Sequence, residues 1–231
     1  MLFVNQLVGF GAYPIPSGAT TITFLSSGIN TSDQTNYTFS SIGLGSSNSS
    51  RYIIVAAHGI HNVARTLNSV SVAGISATQI QNLSFASGTR AVGIFVAPVP
   101  SGTSGDIVLN FSGAMGRAGY GAWYLISSTD ATSAYASGGT ATLSGSDLVL
   151  SLGTPSGGAA VAAVVESSTS GTVTCTWTNI TEDYDSAYTT EANTQGQSGA
   201  NISTDGSTIS VTNTITNVFA GNVGLVAASF S

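Results

Sequence analysis

The chain contains no lysine. Its only permanently positive side chains are Arg51, Arg65, Arg90 and Arg117, set against ten acids, for a net charge of −6 over 231 residues. That leaves no basic footprint to neutralise phosphates, so neither nucleic-acid binding nor docking to an anionic membrane is expected. Charged residues make up only 6% of the chain, against about 25% in an ordinary soluble domain. Hydration therefore rests on Ser, Thr, Asn and Gly. Long charged side chains lose much rotamer entropy when a neighbour covers them, and short hydroxyls lose little, so this surface suits a protein packed against others.

Cysteine is nearly absent. Cys175 stands alone in "VTCTWTN", which rules out an internal disulfide, and a lone thiol among β-formers reads as a small buried hydrophobe. No apolar run approaches the roughly 20 residues of a membrane-spanning helix. The opening stretch "MLFVNQLVGFGAYPIP" has no positive n-region and is interrupted by Asn5, Gln6 and glycines, so it reads as neither signal peptide nor anchor. Residues 1–19 are expected to form either a sticky arm, with Leu2, Phe3, Val4, Leu7, Val8 and Phe10 as interface residues, or an edge strand. Helical periodicity is missing as well.

What the chain does contain is a long series of short β-type segments. They are expected at 21–27, 37–44, 51–59, 69–80, 90–99, 106–113, 120–127, 141–145, 147–153, 159–167, 172–180, 207–214 and 222–230, separated by turn clusters such as "SGTSGD" and "TPSGG". "SVSVAG" and "TVTCTWTN" alternate as half-exposed strands do. "YIIVAA", "VGIFVA" and "AAVAAVV" are continuously apolar, as strands covered on both faces are. The expected fold is all-β, an antiparallel two-sheet sandwich of Greek-key or jelly-roll type, with residues 20–231 as a single domain. "SVSVAGISAT" and "TISVTNTIT" share only β-alternation, so no internal repeat is expected.

No residues present a catalytic constellation, and no cofactor is expected. His58 and His61 in "AAHGIHN" offer two metal ligands without a visible third, and the plainer reading has both rings bonded to turn backbone at a strand end. Serines abound, but no G-x-S-x-G elbow precedes a helix, and "GLGSSNSS" lacks a P-loop lysine. No metal site is expected; the nearest candidates are Glu182, Asp183 and Asp185, with Glu191 beyond them in "TEDYDSAYTTE", whose spacing is not an EF-hand loop. A solvated acidic loop is the alternative, and two acids facing each other for glycoside hydrolysis cannot be placed from sequence. Tyr184 and Tyr188, beside those acids, are the candidates for ligand contact, while Trp123 and Trp177 read as core. Each arginine abuts a strand, where its guanidinium can fork onto carbonyls.

The segments "RYIIVAAHG", "ARTLNSVSVAGISATQI", "TRAVGIFVAPVPSGTSGDIVLNFSG", "MGRAGYGAWYL" and "TWTNITEDYDSAYTT" resemble a family of β-rich virion proteins of tailed phages and prophages, notably of marine and soil α-proteobacteria. The likeness covers about residue 20 to about residue 205. It implies a phage structural component and leaves its location open; together with the lack of an active site and the charge-poor surface, it leads to the expectation of a non-enzymatic virion protein assembling with itself, as a trimer, and with major capsid or tail proteins. Head decoration is the expected role; the alternative is a tail-tip or fibre protein binding a host receptor or glycan. The resemblance brings no catalytic residues with it.

Overall fold

The computed structural model describes residues 20–127, 129–142, 147–167, 174–188, 195–216 and 222–231. The expected interface residues Leu2, Phe3, Val4, Leu7, Val8 and Phe10, and the acid Glu191, lie outside these. The described residues are all β, as expected. The first half supplies β1 (Thr21–Asn30), β2 (Gln34–Gly43), β3 (Arg51–Ile60), β4 (Leu67–Val72), β5 (Ile75–Ser76), β6 (Thr78–Phe85), β7 (Arg90–Pro98), β8 (Ser104–Met115) and β9 (Arg117–Ile126). The second supplies β10 (Ala136–Thr142), β11 (Leu148–Leu152), β12 (Ser156–Ser167), β13 (Thr174–Thr178), β14 (Thr181–Ala187), β15 (Gln195–Asp205), β16 (Ile209–Thr216) and β17 (Asn222–Phe230).

These strands form four antiparallel sheets instead of the two expected. The first sheet is ordered β2-β8-β4-β5, the second β1-β9-β3-β7-β6, the third β10-β17-β12-β15-β14 and the fourth β11-β16-β13. Three separate cores define the stacking. On β3, Ile53, Val55 and Ala57 face the first sheet, while Ile54, Ala56 and Ile60 pack with residues of the third. On β12, Val161, Ala163 and Val165 join that central core, while Ala160, Ala162 and Val164 pack against the fourth sheet. The second and third sheets are therefore covered on both faces. This is why their central strands are apolar at successive positions, where a strand with one wet face would alternate.

The two halves share one strand order. Counting within each half and leaving out the two-residue β5, the inner sheet runs 1-8-3-6-5 and the outer sheet 2-7-4 in both. The duplication is one of topology, and it revises the expectation of no repeat. Core packing fixes which face of a strand is apolar and leaves the identity of each side chain free, so two copies of one layout can lose all visible sequence likeness.

Several boundaries also differ from expectation. The stretch 69–80 is broken into β4, β5 and β6, because Ala73 and Gly74 both adopt positive φ (50° and 79°), the backbone that a two-residue type I′ turn requires. β15 falls in a Gly- and Ser-rich segment not expected to be a strand, and β10 begins at Ala136, ahead of the strand expected at 141–145. In β15, side chains from neighbouring strands occupy the space that a Cβ would need: the Glu166 carboxylate at Gly196 and the Tyr184 ring at Gly199. Glycine here serves close approach, at some cost in strand propensity.

Candidate functional site

The seam between the second and third sheets carries a polar cluster built from both halves. His58, in the interior of β3 and fully buried, shares a 2.8 Å hydrogen bond between Nε2 and the Tyr184 hydroxyl on β14. Burial holds the His58 pKa down at about 3, so the ring is neutral in neutral solution. Trp123 on β9 donates its indole N–H to Asp183 Oδ2 at 2.7 Å, and Asn201 on β15 donates to the same oxygen at 2.6 Å. Tyr188 donates to Gln197 Oε1 at 2.8 Å, and the Gln197 amide donates to the carbonyls of Gly28 and Tyr120 at 3.2 and 3.3 Å. Gly119 and Gly121 on β9 admit Gln197 and Tyr184 respectively, since a Cβ at either position would overlap them.

This geometry corrects several expectations. Tyr184 and Tyr188 are 7% and 4% exposed and pack in the central core, so they are interior contacts and not a ligand-binding surface. Burial raises both hydroxyl pKa values well above the usual range, with the opposite tyrosine and Asp183 adding at Tyr184, and Tyr37 and Glu166 adding at Tyr188. Residues 181–187 form a paired strand where a loop was expected. A register shift between Glu182 and Tyr184 sends the three acids apart: Glu182 to the surface, Asp183 to Trp123, and Asp185 to the backbone N–H of Cys175 at 2.9 Å. They do not converge on one cation. His58 bonds a side chain across the seam, whereas His61 keeps the expected role, with Nδ1 accepting the Val63 N–H at 2.8 Å. Trp123 and Trp177 are core residues, as expected.

A second cluster lies between the third and fourth sheets. Glu166, at the end of β12 and fully buried, accepts a hydrogen bond at Oε2 from the Cys175 thiol of β13 at 2.8 Å. Asn213 of β16, also fully buried, places Oδ1 3.6 Å from the same sulfur. Burial lifts the Glu166 pKa to about 8, opposed by the Cys175 hydrogen bond and assisted by the charges of Asp185 and Glu182. Burial and then the Glu166 charge push the Cys175 thiol up. Cys175 is thus buried as expected, but its sulfur is engaged in a polar cluster. Glu166 sits at the polar end of the apolar run "AAVAAVVES", the one signal that could have drawn attention to it.

The arginines anchor loops. Arg51, almost fully buried, donates to six carbonyls, those of Val99, Leu44, Gly45, Ser46, Ser101 and Gly102, at 2.5 to 3.1 Å. Arg65 donates to the Ala114 and Ala64 carbonyls, and Arg90 to those of His61 and Thr89. An open groove of about 640 Å³ between Asn179–Thr181 and Thr208–Ser210 has no titratable lining residue. A smaller hollow of about 110 Å³ is lined by Asp33, His61, Asn62 and Arg117. No family model matches the chain, and no curated protein matches it.

Proposed function

We propose that this protein is a non-enzymatic structural component of a phage virion, decorating the head and assembling with copies of itself and with the shell. The carrying observation is the outward face of the first sheet. There Asn68 donates to Asn110 at 3.3 Å and Asn110 donates to Asn36 at 2.5 Å, which makes an uncharged amide ladder across β4, β8 and β2. Its side chains are already held by one another, so covering them with a neighbour costs little entropy and buries no charge. The stack of four sheets beneath it supplies stiffness. Three titratable groups whose pKa values burial shifts, His58, Glu166 and Tyr184, are sealed in the interior and not set in an open cleft. The resemblance to virion proteins of tailed phages points the same way, with Leu2, Phe3, Val4, Leu7, Val8 and Phe10 as an apolar attachment segment.

In this reading the work is mechanical. Symmetry repeats many modest contacts, each interface needing about 1,000 Å² or more of buried surface. Cryo-electron microscopy of particles from the host that carries this gene is the test. Many copies at the symmetry axes of the head are expected. A few copies at the tail tip, with binding to host-surface glycan, would replace decoration by receptor recognition, and absence from purified particles would overturn the virion reading.

A further inference from the structure

The second half of the chain, from residue 128 onward, contains no lysine, arginine or histidine, yet it holds eight of the ten acids. Two of these, Glu166 and Asp185, are drawn together with the Cys175 thiol so that one ligand atom from each lies within 4.8 Å of the others. The three come from different strands: β12 and β14 belong to the third sheet and β13 to the fourth. Arg90 reaches this end of β12 but bonds the Ser167 hydroxyl, at 3.3 Å. The cluster therefore concentrates acid between two sheets without a side-chain cation to balance it.

A further observation separates this cluster from an ordinary acidic patch. Glu166 Oε1, an acceptor on a fully buried side chain, has no hydrogen-bond partner among the described residues. Orphaned buried polar groups are costly, each on the order of 1–3 kcal/mol, and one in a native fold calls for an explanation. The Asn213 side chain is aimed into the cluster, with its carbonyl oxygen already turned toward the sulfur.

We propose that Glu166, Cys175 and Asp185, with the Asn213 amide oxygen as a fourth ligand, form a structural zinc site that clamps the third sheet to the fourth. A thiolate, two carboxylates and an amide oxygen are a mixed soft and hard set, which suits borderline Zn²⁺ better than Ca²⁺. Tetrahedral zinc, with Zn–S about 2.3 Å and Zn–O about 2.1 Å, spaces its ligand atoms roughly 3.5 Å apart. Ligand atoms of Glu166, Cys175 and Asp185 already lie within 4.8 Å of one another, and Asn213 Oδ1 lies 3.6 Å from the sulfur. Binding would release two protons to solvent at neutral pH, one from the Cys175 thiol and one from the Glu166 carboxyl, since zinc takes its ligands deprotonated. All four ligands then come from protein, as in a closed structural site. The proposal does not depend on the virion reading.

The test loads the full chain with Zn²⁺, dialyses it against metal-free buffer and measures retained metal by mass spectrometry. One zinc per chain is expected, together with a thermal midpoint that falls when EDTA is added. Co²⁺ in place of Zn²⁺ should give a thiolate-to-metal charge-transfer band in the near ultraviolet. Cys175→Ser should abolish that band and weaken zinc binding more than about 100-fold, beyond what loss of an outer-shell partner causes. Asp185→Asn can still accept the Cys175 N–H, so it keeps the fold testable, and it should weaken binding with an unchanged circular dichroism spectrum. Absence of zinc from the loaded wild-type chain, a cobalt spectrum without the thiolate band, or undiminished binding by Asp185→Asn would each overturn the site.

Discussion

Tyr184 and His58 stand 126 residues apart and share a 2.8 Å hydrogen bond across the seam between the second and third sheets. Each belongs to a different half of the chain, so this one contact reports whether the halves are docked. Removing the hydroxyl with Tyr184→Phe leaves His58 Nε2 buried and unpaired, at a cost of about 1–3 kcal/mol. Combining Tyr184→Phe with His58→Leu in a double-mutant cycle by urea unfolding should show coupling of at least about 0.5 kcal/mol. Simple additivity would mean that the bond contributes nothing to docking.

The pH dependence of stability follows from two buried groups acting in opposite directions. His58 has its pKa lowered from 6.5 to about 3, so between those values the unfolded chain binds a proton that the folded chain does not. The His58 contribution is present above pH 6.5 and is lost as pH falls toward 3. Glu166 is raised from 4.5 to about 8, so its contribution is present below pH 4.5 and is lost as pH rises toward 8. Each slope is about 1.4 kcal/mol per pH unit. In chelator, the stability difference between wild type and His58→Gln should change only on the acid side. That between wild type and Glu166→Gln should change only between about pH 4.5 and pH 8, falling as pH rises. Parallel pH curves for wild type and either variant would refute the corresponding assignment.

Gly121 is required by the packing of Tyr184. A Cβ at this position would overlap the Tyr184 ring, whereas at Gly43 a Cβ meets nothing within 4 Å. Gly121→Ala should destabilise by about 1–3 kcal/mol, as overpacking does. Gly43→Ala, in an exposed strand position, should stay within about 0.5 kcal/mol of wild type. Thermal unfolding of the two variants side by side checks this, and equal midpoints would contradict the packing argument.

Arg51 ties the β2–β3 loop to the β7–β8 loop through its six carbonyl contacts. Lysine offers three donors from one point in place of a planar fork of five. Arg51→Lys should leave several buried carbonyls unpaired and cost about 2–4 kcal/mol. It should also speed amide hydrogen exchange in 44–51 and 99–103 ahead of the strand cores. Unchanged exchange there would show that the loops are held by other contacts.

The all-β class was legible because turn residues punctuate short β-type segments throughout the chain. The four-layer arrangement was also partly written there. "YIIVAA", "VGIFVA" and "AAVAAVV" are apolar on both faces, and a two-sheet sandwich has no strand covered on both sides. Their presence in both halves already implied more than two layers. β15 was hidden because Gly196 and Gly199 are placed for their neighbours' side chains and not for strand propensity. The acidic stretch misled because adjacent acids in a strand with a register shift face different ways, which spacing alone does not reveal.

The sequence by itself determined the fold class, the poverty of charge, the burial of both tryptophans and the anchoring of strand ends by arginine, since each depends on local pattern or on the chemistry of one side chain. Tertiary structure alone decided that the halves share one topology, that His58 meets Tyr184, and that Glu166, Cys175, Asp185 and Asn213 converge. Those relationships join strands far apart in the chain, and their partners are chosen by sheet order and register, quantities that no local stretch of residues encodes.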